Sequence, residues 1–173
     1  MLSQVVKVFL IFLAIQAYTQ PVLSTKSKKA IELYNQADNY RVRGQHQQAI
    51  DLLTEAIQRD KKFVEAYYRL GLVYMTTKRY PLAVQNFETA ISLTTDEKKH
   101  RVIWFDLGEA YLNTGQSDKA IVTLQNFLRV EHQNRQKIDR ANQLLRNAEF
   151  ARQNQTLKAH YNLRPLSDTV NCF

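Results

Sequence analysis

The sequence predicts an all-α fold, a solenoid of three helix-turn-helix repeats closed by a C-terminal capping helix. Three observations carry this. Only 4 glycines and 3 prolines occur in 173 residues, a usage that favours long helices over a turn-rich β fold. Apolar residues recur three and four positions apart through the middle of the chain, the period of a helix with one buried face. The pattern also repeats: Tyr40, Tyr74 and Tyr111 stand 34 and 37 residues apart, as do Ala49, Ala83 and Ala120, and Leu53, Phe87 and Leu124. Such a period marks stacked units, none of which buries its apolar face alone.

The chain opens with a different kind of segment. Lys7 precedes an unbroken apolar run from Val8 to Ile15, followed by Gln16, Ala17 and polar residues. That run is too short to cross a bilayer, which takes about 20 residues. A positive residue, a short apolar core and small residues, in that order, read as a secretory signal peptide over residues 1–24, cleaved after Ala17 or Ser24. The alternative is a buried or membrane-retained helix. Removal of this segment costs one lysine and no acid, so the remaining chain keeps most of its formal charge of +8. A basic, exported protein is expected, in the periplasm or associated with an outer membrane.

The repeats occupy residues 30–63, 64–97 and 101–134, with Lys98, Lys99 and His100 inserted before the third. All four glycines fall on the pattern. Gly71 and Gly108 share the position of Ala37, where a small residue lets the two helices of a pair approach; Ala49, Ala83 and Ala120 serve the same end from the other helix. Gly44 and Gly115 close first helices, where a left-handed cap suits glycine. Lys78 takes that place in the middle unit. Pro81 suits the first turn of a second helix, where its missing N–H would be unpaired anyway. Asp60 and the Thr94-Thr95-Asp96 cluster suit helix ends.

These positions resemble the tetratricopeptide repeat (TPR) family, whose 34-residue pattern runs Trp-x2-Leu-Gly-x2-Tyr, then Ala, Phe, Ala and Pro. The best instances are Tyr67-x2-Leu70-Gly71-x2-Tyr74 and Trp104-x2-Leu107-Gly108-x2-Tyr111. Departures are Gln36 for the leucine of the first unit, Phe127 for the last alanine of the third, and Lys61, Thr95 and His132 for the closing proline. The resemblance implies a concave groove lined by first helices, in which a protein or peptide partner lies. By pattern position its candidate residues are Tyr34, Asp38, Arg41, Tyr68, Arg69, Leu72, Phe105 and Glu109, with Tyr68 and Arg69 foremost. The chaperone adaptors of that family grip a C-terminal carboxylate with Lys and Asn. Here the corresponding places hold Tyr34, Asp38, Arg69, Val102 and Asp106, and only Arg69 fits, so that mode is not expected.

Residues 135–155 are expected to form the capping helix, with Ile138, Ala141, Leu145 and Ala148 on its inner face, since a stacked array ends in an apolar edge. The helix is basic and offers a surface for an anionic envelope, although its arginines look irregularly spaced. Nucleic acid is not an expected partner. Residues 156–173 read as an extended tail or linker. Within it Leu166–Asn171 resembles the segment that joins TPR modules to β-propellers in Bacteroidetes envelope proteins ending in an OmpA-like domain, with Ser167 and Cys172 departing from that pattern. A disordered tail is the other reading.

No grouping of residues points to catalysis. His46, His100, His132 and His160 are scattered, Cys172 is the single cysteine, and HExxH, CxxC and glycine-rich phosphate motifs are missing. No cofactor or metal is expected. The sequence thus reads as a non-enzymatic, exported interaction scaffold. The alternative is a structural envelope component tethered to peptidoglycan or the outer membrane through downstream domains.

Overall fold

A computed structural model describes residues 23–161. Within them are seven helices and no strand. In chain order they are α1 (Lys28–Val42), α2 (His46–Arg59), α3 (Val64–Thr76), α4 (Tyr80–Ser92), α5 (Glu97–Asn113), α6 (Ser117–Val130) and α7 (Arg135–Tyr161). They pack as antiparallel pairs, α1 with α2, α3 with α4 and α5 with α6, each pair stacking on the next and α7 on the last. The fold is the expected all-α solenoid of three TPR-like repeats and a closing helix. Residues 1–22 of the expected signal peptide, the Leu166–Asn171 resemblance and Cys172 lie outside the described residues.

The small residues do what their positions require. Ala37, Ala49, Ala83 and Ala120 are fully buried at the crossings within pairs. At Gly71 an added Cβ would stand 2.5 Å from the Phe87 ring, and at Gly108 2.7 Å from Leu124. Phe63, Phe87 and Phe127 fill the spaces behind them and are essentially inaccessible. Gly44, Lys78 and Gly115 all adopt positive φ, at 74°, 57° and 73°. Each therefore turns the chain at the same point of its repeat, and in the middle unit a lysine takes the conformation glycine favours.

The insertion before the third unit is absorbed as helix. Asp96 caps α5, its carboxylate accepting from the Lys98 N–H at 2.9 Å, so α5 starts about one turn before the repeat does. His100 fastens that turn, its Nε2 lying 2.7 Å from the Thr94 carbonyl while its ring stacks on Trp104.

Two details differ from the sequence reading. The last helix runs to Tyr161, so residues 156–161, read as tail, are helical. Its inner face centres on Ala141, Leu144 and Ala148, with Leu145 at the edge; Leu144 is the buried residue the spacing missed. The chain also joins the fold earlier than expected. Leu23 packs on the first core cluster, and Ser24 bonds the start of α3: its hydroxyl donates to Glu65 Oε2 at 2.6 Å and accepts from the Val64 N–H at 2.8 Å.

Candidate functional site

The first helices α1, α3 and α5 carry the residues expected to line the groove, and the structure divides them into three groups. In the first, the α1–α3 stretch is closed by its own side chains. Arg69 reaches from α3 to Asp38 Oδ1 at 2.9 Å and donates to the Tyr34 hydroxyl at 2.8 Å. Its guanidinium also lies over the Tyr34 ring, 5.4 Å from the centroid. Arg41 holds the same Asp38 oxygen at 2.9 Å. Tyr34 packs on Phe63 with ring centroids 5.2 Å apart. Arg69, Asp38, Arg41 and Tyr34 are thus an internal clasp between two repeats.

In the second group, Tyr68 and Asp106 couple the middle and third repeats. The Tyr68 hydroxyl donates to Asp106 Oδ2 at 2.6 Å, and its ring stands against Phe87 at 5.8 Å. Burial, followed by the Asp106 charge, raises the phenol well above its ordinary range. Burial likewise lifts the Asp106 carboxyl, against the downward pull of the Tyr68 bond. Leu72 is half-buried on the same cluster. The third group belongs to α5 and α7. Phe105 packs on Phe127 with ring centroids 5.2 Å apart, and the Lys137 ammonium lies 5.3 Å from the centroid of the Phe105 ring. Glu109 is held by Arg140 at 2.9 Å.

Open space lies beside the second and third groups. A cleft of about 500 Å³ separates α3 from the first turns of α5, with Val64, Tyr68, Val102 and Ile103 as its apolar wall and Lys98 and Lys99 at its rim. Lys99 is tied to Glu65 at 2.6 Å. Burial pushes the Glu65 carboxyl upward, but its bonds to Lys99 and Ser24 outweigh burial and hold it below the usual range. A second cleft, about 590 Å³, lies between Phe105 and α7, where Lys137, Arg140, Gln143 and Arg146 form one side.

Of the eight candidate residues, Tyr68 and Phe105 therefore face open space. Tyr34, Asp38, Arg41, Arg69 and Glu109 are engaged with one another or with α7. The sequence reading missed Lys98, Lys99 and the α7 wall. Gln136, Arg140 and Gln143 stand four and three residues apart, so the helical period applied to polar residues could have found that wall. Among the described residues no group of three or more His, Cys, Asp or Glu side chains is placed to hold a metal ion, and no helix is long and apolar enough to cross a membrane.

Paired helices with a concave face and a groove of apolar floor and charged rim define an interaction scaffold. The chain belongs to the tetratricopeptide repeat family: residues 34–98 and 103–130 match it, together more than half of the sequence. That family is generally one of protein-interaction scaffolds, not of enzymes. Among curated relatives, the Cell division cycle protein 27 homolog of Caenorhabditis elegans is 29% identical over 123 residues, which are 70% of this chain and 15% of that protein. Anaphase-promoting complex subunit 3 of Schizosaccharomyces pombe is 31% identical over 84 residues, covering 49% of this chain and 12% of that one. The chain thus spans a small part of either relative.

Solved structures of the same fold include the first TPR of Spaghetti (RPAP3) bound to an HSP90 peptide, with TM-score 0.65 and 20% identity, covering 75% of this chain and 97% of that one. The Yersinia enterocolitica type III secretion chaperone SycD, in complex with a peptide of the translocator YopD, gives TM-score 0.60 and 18% identity over 75% and 97%.

Proposed function

We propose that this chain is an exported, non-enzymatic scaffold that captures a segment of a partner protein on its concave face, in the cleft between α3 and α5. The observation that supports this reading is the cleft itself. The clasp of Tyr34, Asp38, Arg41 and Arg69 occupies the face between α1 and α3, whereas Val64, Tyr68, Val102 and Ile103 border open space one repeat further on. Peptides occupy similar folds in the Spaghetti and SycD complexes, which makes an extended segment the natural occupant here.

A photo-crosslinking residue at Val102, in a chain panned against a random peptide library, should capture the selected peptides. The same residue at Val122, exposed on α6, should not. Capture only at Val122 would remove the groove reading.

Export rests on the order of residues in the leader. Leu23 and Ser24 belong to the fold, so cleavage after Ala17 preserves the bonds of Ser24 to Glu65 and Val64, whereas cleavage after Ser24 would cut them away. N-terminal sequencing of the chain recovered from an envelope fraction should begin at Tyr18. An uncleaved chain in the cytoplasm would overturn export. The structural-component alternative rests on Leu166–Asn171 and is separated by the reading frame beyond Phe173: continuation into propeller and OmpA-like sequence would favour it.

A further inference from the structure

The two clefts beside α5 have a third for a neighbour. A third, about 260 Å³, lies between them; it shares Val102 with the α3–α5 cleft and Lys137 with the α5–α7 cleft. The three form a track of adjoining clefts that starts in the inter-repeat groove, passes the first turns of α5 and follows the wall of α7. Its floor is apolar, formed by Val64, Val102 and Phe105. The anions beside it are already engaged. Glu65 is held by Lys99 and Ser24, and Asp106 accepts from Tyr68. Glu131 lies 3.5 Å from Arg101 and accepts from the N–H groups of Gln133 and Asn134. Asp96 caps α5, and Asp139 lies 3.5 Å from Arg135. The cations Lys98, Lys137 and Arg146 have no carboxylate within 4 Å among the described residues.

Resting on the groove reading above, we infer that the occupant of this track is an extended peptide segment in which acidic residues alternate with apolar ones. The apolar side chains meet Val102 and Phe105, and the carboxylates meet Lys98, Lys137 and Arg146. Charge complementarity selects that chemistry, since the residues lining the three clefts carry two more positive than negative charges. Its concavity selects a chain over a lipid surface. The Lys137 ammonium lies against the Phe105 ring inside the track, where an extended segment reaches it and a flat membrane does not.

The test uses fluorescein-labelled decapeptides and the purified chain. A decapeptide of alternating Glu and Leu should bind, and its Gln-Leu counterpart should bind about tenfold more weakly, as a few exposed charge pairs would give. The triple variant Lys98→Gln, Lys137→Gln, Arg146→Gln should lose about the same factor while its helical circular-dichroism signal stays that of the parent, and added salt should weaken the parent complex. Equal affinity for the two peptides, or an unmoved triple variant, overturns the acidic assignment. If both peptides still cross-link at Val102, the groove reading survives that failure; if neither binds, both fall. Saturable binding to phosphatidylglycerol vesicles that the Glu-Leu peptide does not displace would overturn it in favour of a membrane surface.

Discussion

At Gly71 a methyl group would meet the Phe87 ring at 2.5 to 2.6 Å, and that ring is fully buried between two repeats, with no room to retreat. Overpacking of this kind costs about 1–3 kcal/mol, more than the roughly 1 kcal/mol that alanine gains over glycine inside a helix. Gly71→Ala is therefore expected to lower the urea midpoint; a rise would mean that the ring moves freely. Lys78 presents the opposite case. Its φ of 57° strains a residue with a Cβ, and Gly44 and Gly115 take the same turn in the neighbouring units. Lys78→Gly should stabilise by about 0.5–1 kcal/mol, the relieved strain less the entropy glycine adds to the unfolded chain. An unchanged or lower midpoint in the same titration would refute it. Both glycine roles were legible in the sequence, because backbone approach and positive φ constrain residue size directly.

Among the elements, α7 carries the most separate duties. It covers the last repeat with Ala141, Leu144 and Ala148, and the flank beside that face supplies Lys137, Arg140 and Arg146 to the track. Leu144→Ala should cost about 2–5 kcal/mol, because it opens a cavity beside Phe127 and Leu124. Phe150→Ala, at a side chain 66% exposed, should change stability by no more than about 0.5 kcal/mol. Chemical denaturation of both variants checks the pair, and equal losses would show that α7 packs differently. Two signals in this region were weak in the sequence. The flank of α7 that borders the cleft is polar, and hydrophobic periodicity does not register it. Lys98–His100 read as an insertion, yet Asp96 and the His100–Thr94 bond turn them into one more helical turn at the mouth of the cleft.

For the whole molecule, acid should be destabilising. The Thr25 hydroxyl and the Lys62 N–H hold Asp60 below the usual carboxylate range, and backbone N–H groups do the same for Glu131. Glu65 is lowered by Lys99 and Ser24 in spite of burial. A carboxyl lowered in the fold contributes stability above its unfolded value, about 4, and loses that contribution as pH falls through its folded value. Asp106 has the reverse sign: its folded value is raised, so its contribution is present at low pH and fades as pH rises through that value. Thermal midpoints across a pH series should therefore fall on acidification. Glu65→Gln should be less stable than the parent at neutral pH. Asp106→Asn, which keeps an acceptor for Tyr68, should be more stable there. Both differences should shrink toward low pH, and the same sign for the two variants would contradict the assignment.

Period, residue size and helix-ending chemistry were enough to place three repeats, their turns and their core, because each of these acts within one helix pair and recurs in every copy. Which groove residues face open space was a matter of side chains meeting across repeats. Arg69 looked available until Tyr34 and Asp38, more than 30 residues away, were seen to hold it. Which residues of the basic capping helix border a cleft was decided when α7 packed beside Phe105. Packing positions recur because every pair must bury the same stripe. Partner-facing positions depend on which charges find one another first, and that is decided only when the repeats stack.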